Sequence, residues 1–286
     1  MGGFDRFGVT ISSAALLGAA LLSATAAAAS PSLEVNHAVA RVTIIPEDRP
    51  DISVTVIATN AKFPLKVTRL GDQVVIEGGL AWRGANCNVV FGHTRVGVFG
   101  VGSVSYENMP QVVVRTPRQV FVKTSGAVFG TIGRGDGVDL TNSGCGDWTV
   151  GNQNGPLRVS LAGSGDLHAG EAAAAADVRV AGSSDVVLRA ARNGLTAMIA
   201  GSGDVTADQV DGPLHAHVIG SGDVKIRDGA VSDMQVVVAG SGDVSFGGVA
   251  QSLQASVAGS GDVSVGKVTG MVTKHIAGSG DVTVGR

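Results

Sequence analysis

One tetrapeptide that ends in an acidic residue recurs through the second half of the chain. Gly-Ser-Gly-Asp occurs six times, at 163–166, 201–204, 220–223, 240–243, 259–262 and 278–281. Two variants fill the gaps in this series, Gly-Cys-Gly-Asp at 144–147 and Gly-Ser-Ser-Asp at 182–185. The first glycines are 19 residues apart, with a single step of 20. The aspartates would therefore form one column if each repeat were one coil of a stacked structure.

A column of carboxylates about 5 Å apart is costly, since each neighbouring pair repels by roughly 1 kcal/mol in water and about 3.5 kcal/mol at an effective dielectric constant of 20. The carboxylates must be solvated, accept backbone N–H groups, or hold cations. We expect the carboxylates to accept backbone N–H groups. In that arrangement Gly permits a tight corner, and the Ser and Asp side chains form hydrogen bonds with the backbone groups of the corner. Calcium is the alternative, because Gly- and Asp-rich repeats bind it between turns. Its candidate ligands are Asp166, Asp204, Asp223, Asp243, Asp262 and Asp281.

The residue types predict neither a catalytic centre nor a cofactor site. Carboxylates about 5–10 Å apart beside a groove suit glycoside hydrolysis, but no column of Arg or Lys accompanies the aspartates, and aromatic residues are scarce. His215 and His217 alternate along one strand, and with His275 three coils away they lack a third zinc ligand. We therefore expect a protein that is not an enzyme, with a carbohydrate-active β-helix as a distant alternative.

The residues between the tetrapeptides alternate between apolar and polar types, which predicts strands with one buried face. Triplets such as Leu157, Val159 and Leu161 lead into each tetrapeptide, and an apolar residue follows each Asp. Turn formers such as Asn193-Gly194 separate the two strands, and no segment has a helical period. One coil cannot bury its apolar face alone. We predict an all-β parallel β-helix, or solenoid, with about 19 residues per coil.

The chain divides into three predicted parts. Residues 1–29 resemble a signal peptide, with Arg6, an apolar stretch and small residues before Ser30. Residues 30–110 read as an N-terminal β region, with four strands within 33–77 that form a cap or the first coils. A Gly-rich insert, a long loop or hairpin, covers 78–108. The repeats occupy a solenoid over 111–286. We expect export to the periplasm, the outer surface or the medium, with no membrane span after signal cleavage.

The two cysteines and the net charge limit the chemistry further. Export permits a disulfide between Cys87 and Cys145, which would close a loop of about 58 residues and stabilise the fold by roughly 4 kcal/mol at most. Two free, buried thiols are the alternative. A net charge of −3 gives no reason to expect nucleic acid as a partner.

Beyond these patterns, the chain resembles the bacterial autotransporter adhesin head GIN domain family over about residues 33–286. The resemblance rests on an exported chain, on strands such as "VARVTIIPEDRPDISVTV", and on "PQVVVRTPRQVFVKTSG" before repeated "V.GSGDV" units. It implies a right-handed, single-stranded β-helix in the cell envelope or on the surface, and it implies no activity.

These observations together predict a noncatalytic, adhesin-like structural or binding module of the envelope or surface. Its ligand would be a glycan or a protein on another surface, and a calcium-stabilised binding protein is the alternative. The sequence stops directly after an apolar strand at Gly285-Arg286. Because an uncapped coil recruits other strands, we also expect self-association through the last coil.

Overall fold

The computed structural model describes residues 30–80, 84–90 and 93–285. The predicted signal peptide therefore lies outside the described residues. Within them no helix is long and apolar enough to cross a membrane, and one 3-10 turn, Tyr106–Asn108, accompanies the strands. The strands are β1 (Ser32–Glu47), β2 (Ser53–Ala58), β3 (Lys66–Leu70), β4 (Gln73–Glu77), β5 (Ala85–Val90), β6 (His93–Val98), β7 (Gly102–Ser105), β8 (Gln111–Pro117), β9 (Gln119–Ile132), β10 (Gly137–Gly144), β11 (Trp148–Val150), β12 (Leu157–Gly163), β13 (Leu167–Ala172), β14 (Ala176–Gly182), β15 (Val186–Ala191), β16 (Leu195–Gly201), β17 (Val205–Val210), β18 (Gly212–Gly220), β19 (Val224–Asp228), β20 (Ala230–Gly240), β21 (Val244–Ala250), β22 (Leu253–Gly259), β23 (Val263–Val268), β24 (Val272–Gly278) and β25 (Val282–Val284).

The predicted parallel β-solenoid is confirmed. Each strand from β10 onward pairs in parallel with its equivalent in the next coil, so that Leu195 opposes Leu214 and Gly201 opposes Gly220. Strands that lead into the corner form one row, and strands that follow it form a second. The single 20-residue step is absorbed by a register shift in β20, between its pairings at Val231 and Met234. The corners on either side of that shift remain aligned.

The core consists of small and medium apolar side chains that stack from coil to coil. The residue after each Asp points inward and is almost completely buried, as at Trp148, Leu167, Val186, Val205, Val224, Val244, Val263 and Val282. The apolar triplets of the other row face them across a narrow interior. Because each layer is thin, hydrophobic burial is distributed evenly along the rod.

The stacked sheet begins earlier than the boundary predicted at residue 111. The four strands predicted within 33–77 are present as β1 to β4, and β1 pairs in parallel with β9 along both rows. The two halves of β1 also pair in parallel with β4 and β8. Alternation in β1 was visible in the sequence, but β1 lacks the tetrapeptide that marks the later corners. Of the two alternatives for the strands within 33–77, a cap or the first coils, this pairing favours the first coils.

The Gly-rich insert is an enlarged corner of the terminal coil. It connects β4 of one row with β8 of the other, at the edge where later coils have the tetrapeptide. Its strands β5, β6 and β7 form a three-stranded antiparallel sheet. Val96 and Val98 of that sheet pack with Val39, Ala127 and other apolar residues in a second hydrophobic cluster. The insert is thus an ordered layer that packs over the early corners.

The last described coil has a charged residue at an inward position. Lys274 stands opposite the buried Ala255, and its ammonium group donates a hydrogen bond to the Val282 carbonyl. The flanking Val272 and Ile276 are 39% and 42% exposed, whereas their equivalents in the preceding coil are buried. An inward lysine opposes continued stacking at such an edge. The self-association expected from the sequence stays a prediction, and Lys274 acts against it.

Candidate ligand site at the head of the aspartate column

The aspartates of the repeat form one continuous hydrogen-bonded column. In every described step from Asp147 to Asp281, the Oδ1 atom of one Asp accepts the backbone N–H of the Asp in the next coil, at 2.8–3.0 Å. The carbonyl of each later Asp accepts the N–H that follows the preceding Asp, as from Val205 to Asp223 at 2.8 Å. The carboxylates therefore extend the backbone ladder around a corner where regular strand pairing is interrupted.

Glycine is required in the corner for two different reasons. At the first position, Gly220 has φ 126°, and a Cβ there would lie 2.2 Å from the Gly201 carbonyl oxygen. At the third position the φ angle is unexceptional, but a Cβ on Gly222 would lie 2.1 Å from the Gly203 carbonyl oxygen. Ser184 occupies this third position in one coil, where it is 1% exposed and its hydroxyl lacks a hydrogen-bond partner.

The six residues named as calcium candidates all belong to this column. Each has one oxygen committed to a backbone N–H, in the next coil or, for Asp281, on Val282. Across the described ranges, His, Cys, Asp and Glu side chains form no group of three or more able to hold a metal ion. His215, His217 and His275 lie on the outer face of one row, with His275 three coils beyond His217.

Neighbouring charges tune individual members of the column. Burial raises the pKa of Asp223, but the hydrogen bond from Lys225 at 2.8 Å and the N–H of Asp243 outweigh it, so the pKa is lowered overall. The same contact raises the pKa of Lys225. The other lysines lie elsewhere, so most of the column is balanced by solvent and backbone dipoles.

The column of acids ends abruptly at Asp147. In the preceding coil the equivalent position is Phe129, and in the coil before that it is Arg41, which pairs with Gln111. Arg41 donates a hydrogen bond to the Gln111 side chain at 2.8 Å. Asp147 is thus the first carboxylate of the column, bordered on one side by Asp166 and on the other by an aromatic ring.

The insert packs over this end of the column. The Tyr106 ring meets the Phe129 ring edge to face, with centroids 5.5 Å apart, and the Arg41 guanidinium lies 4.9 Å from the Tyr106 centroid. Cys87 of β5 is disulfide-bonded to Cys145, with Cα atoms 5.8 Å apart. Because Cys145 replaces the repeat serine two residues before Asp147, the covalent link fixes the insert beside the first carboxylate.

A groove of about 270 Å³ lies between the insert and the solenoid at this point. Its lining consists of Thr94, Tyr106, Phe129, Gly130, Thr131, Asp147 and Thr149. A Cβ at Gly130 would lie 2.2 Å from the buried Trp148 ring, so glycine here both admits the tryptophan and leaves the groove floor open.

The environment of Asp147 differs from that of the other aspartates. Burial in the groove is the largest influence and raises the pKa of Asp147, and repulsion from Asp166 adds to it. The hydrogen bond from the Asp166 N–H and the nearby His168 act in the opposite direction but are outweighed. Part of the Asp147 side chain nevertheless remains open to solvent. The Asp147 carboxylate is thus the first of the column, and burial disfavours its charged form.

Sequence reasoning placed Asp147 in the column but did not single it out, and it missed Tyr106, Phe129 and the threonines of the groove. Two signals were present. Cys145 stands at the first marked corner where the later tetrapeptides have Ser, and the residue equivalent to Asp147 in the preceding coil is the aromatic Phe129. Neither signal reveals that the insert folds back over that corner.

A family model described as Toastrack DUF4097 matches residues 31–285. No curated protein matches the chain. Among solved structures, the chain is similar to a candidate lipid-binding protein from Parabacteroides distasonis, with 18% identity, a TM-score of 0.45, and coverage of 90% of this chain and 94% of that one. It is also similar to a candidate adhesin from Parabacteroides merdae, with 12% identity, a TM-score of 0.37, and coverage of 89% and 92%. The GIN domain resemblance stays a prediction.

Proposed function

The chain belongs to the Toastrack DUF4097 family, and we propose that it is a noncatalytic β-solenoid module of the cell envelope or surface that binds a ligand. In this proposal the repeats build a rigid rod, and the insert at one end presents the binding surface. The signal-like residues 1–29 support export as part of this proposal. The name adhesin describes this role without fixing the ligand.

One observation carries the proposal: the repeated aspartates are used by the scaffold. Each carboxylate of the column accepts a backbone N–H at 2.8–3.0 Å, or 2.7 Å at Asp281. A catalytic pair of acids needs one carboxylate free to attack or to transfer a proton at a defined position. A column in which the same contact recurs in each coil supplies no such position, and its head at Asp147 is the member that lies in a groove beside the insert.

The same observation argues against calcium as a structural cofactor. Calcium takes six to eight oxygen ligands, and two neighbouring corners offer about one uncommitted carboxylate oxygen each. We therefore propose that no cofactor is needed. The calcium-stabilised alternative predicts a higher melting temperature in millimolar calcium than in chelator, and our proposal predicts the same melting temperature in both.

Two measurements test the function. The full chain is expressed with its own leader and fractionated, and export predicts a shortened chain outside the cytoplasm. The purified protein is then applied to arrays of glycans and extracellular-matrix proteins, and released reducing ends are assayed on every glycan that binds. Binding without turnover supports the module. Release of reducing ends would contradict a noncatalytic module and favour the carbohydrate-active enzyme. A full-length chain in the cytoplasm would contradict the envelope location.

A further inference from the structure

The groove at the head of the aspartate column combines hydrogen-bonding groups with aromatic surface. The hydroxyl groups of Thr94, Thr131, Thr149 and Tyr106 line it without a hydrogen-bond partner among the residues that the structure describes. The second oxygen of Asp147 is likewise uncommitted, since only its Oδ1 atom accepts the Asp166 N–H. The groove is therefore lined by four residues whose hydroxyl groups can donate and accept, and by one carboxylate that can accept.

Apolar surface lies among these oxygens. Phe129 is only 6% exposed and contributes little of its surface to the groove, whereas Tyr106, held against it edge to face, is half-buried and supplies the aromatic surface. The disulfide, the Arg41 contact and the Phe129 contact all restrain the insert strands and the Tyr106 ring. A groove whose walls are fixed before the ligand arrives loses less entropy on binding.

The charges around the groove exclude several ligand classes. Neither Lys nor Arg is among its lining residues, so a phosphate or an acidic sugar would meet the Asp147 carboxylate without a compensating cation. A cationic ligand would be attracted by the Asp147 carboxylate but repelled by the Arg41 guanidinium, which lies 4.9 Å from the Tyr106 centroid, so the two charges oppose each other. A neutral ligand with several hydroxyl groups avoids both penalties.

We propose that the groove between Tyr106 and Asp147 binds one ring of a neutral glycan. The inference rests on the proposed function and names its ligand class. A sugar ring presents hydroxyl groups that both donate and accept, together with C–H faces that pack on aromatic rings. A volume of about 270 Å³ is slightly below the range of about 300–1,000 Å³ for drug-sized ligands, which suits a single ring with the rest of the glycan in solvent.

Within this groove a hydroxyl group of the sugar donates a charge-assisted hydrogen bond to the Asp147 carboxylate. That bond adds a donor for the second carboxylate oxygen, which has no hydrogen-bond partner among the described residues of the free protein, beside the Oδ1 atom that already accepts the Asp166 N–H. The Tyr106 hydroxyl orients the ring from the opposite wall, and the threonines meet its remaining hydroxyl groups.

Three variants and one set of probes test the assignment. Isothermal titration calorimetry is performed with glucose, galactose, mannose, N-acetylglucosamine, maltotriose and chitotriose, and with cadaverine and glucose 6-phosphate as charged probes. Asp147→Asn keeps an oxygen for the Asp166 N–H, and Tyr106→Phe keeps both ring contacts, so each variant tests the groove without dismantling it. Asp262→Asn is the matched control, because Asp262 has the same place in the column far from the insert.

We expect one-to-one binding of at least one neutral sugar, weakened at least tenfold by Asp147→Asn and by Tyr106→Phe and unchanged by Asp262→Asn. The inference is overturned if no neutral sugar binds, if a charged probe binds in its place, or if Asp262→Asn weakens binding as much as Asp147→Asn. A glycan or protein captured on the arrays with the same affinity by wild type and both groove variants would overturn the groove assignment while leaving the proposed module intact.

Discussion

The Asp204 Oδ1 atom accepts the backbone N–H of Asp223, one coil away, at 2.8 Å. This contact explains why the chain repeats an acidic residue in a column despite mutual repulsion. A hydrogen bond from a backbone N–H to a charged acceptor stabilises by about 1.5–3 kcal/mol, which offsets a repulsion of similar size between neighbouring carboxylates. The carboxylate is thus a component of the corner, as Gly is.

Ser184 provides a test of the corner geometry. Ser184→Gly should raise the free energy of unfolding by about 1 kcal/mol, because it removes a buried hydroxyl without a partner and restores the residue found in the other corners. The gain is reduced by the backbone entropy of Gly. Urea unfolding measures it. The exposed neighbour Ser183 is the control, and Ser183→Gly should leave stability unchanged or slightly lower. A loss of stability in Ser184→Gly would contradict the proposed packing.

The disulfide should stabilise the insert more than the rod. Replacing Cys145 with Ser restores the repeat residue and removes the link to Cys87, and the loop-entropy effect is at most about 4 kcal/mol. We expect Cys145→Ser and Cys87→Ser to increase amide exchange in β5 to β7 while β14 to β22 keep wild-type protection. Hydrogen exchange with mass spectrometry measures both regions. Equal loosening of the distant coils would show that the link supports the whole solenoid.

Asp147 and Asp223 should respond to pH in opposite directions. The pKa of Asp147 is raised above 3.8 in the folded protein, so its contribution to stability is greatest below 3.8 and is lost as pH rises through the folded pKa. Asp147→Asn should therefore gain stability relative to wild type as pH rises from 3 towards 7.

The opposite sign at Asp223 is the internal control for this experiment. Its pKa is lowered by Lys225, so its contribution is present above 3.8 and is lost as pH falls through the folded pKa. Asp223→Asn should lose stability relative to wild type as pH rises over the same range. Thermal unfolding of the three proteins at several pH values measures these trends, and parallel curves for the two variants would be incompatible with the assigned environments.

Lys274 should limit association through the last described coil. Lys274→Val replaces an inward charge with an apolar residue between Val272 and Ile276, both already partly exposed, and an apolar edge recruits other strands. We expect a concentration-dependent increase in mass by light scattering for Lys274→Val but not for Lys274→Arg. If the mass of Lys274→Val stays unchanged at high concentration, Lys274 does not limit association.

The repeat made most of the rod predictable from sequence. Period-two alternation around residues such as Val205 and Ala207 fixes which face is buried, and the constant spacing of the corners fixes the register. The column of aspartates follows from these two facts. The bulge in β20 accommodates the extra residue of the one 20-residue repeat, so the corners on either side of it stay stacked.

The head of the column was not predictable in the same way. Phe129 and Arg41 continue the column without sharing its residue type, so no repeat marks them. Tyr106 reaches Phe129 through an antiparallel insert, whose packing depends on contacts between residues distant in sequence. For a related reason, the sequence left open whether β1 starts the stack, because its corner contains His37 with φ 47° in place of the tetrapeptide.

The most direct test of the account is amide exchange at Asp223, measured by NMR in wild type, Asp204→Asn and Asp204→Ala. If Asp204 is a scaffold residue, the Asp223 amide is protected in wild type and in Asp204→Asn, whose side-chain oxygen still accepts. Asp204→Ala then loses that protection and about 1 kcal/mol of stability. Rapid exchange of the Asp223 amide in wild type, or equal protection in all three proteins, would contradict the claim that the aspartate column holds the corners together.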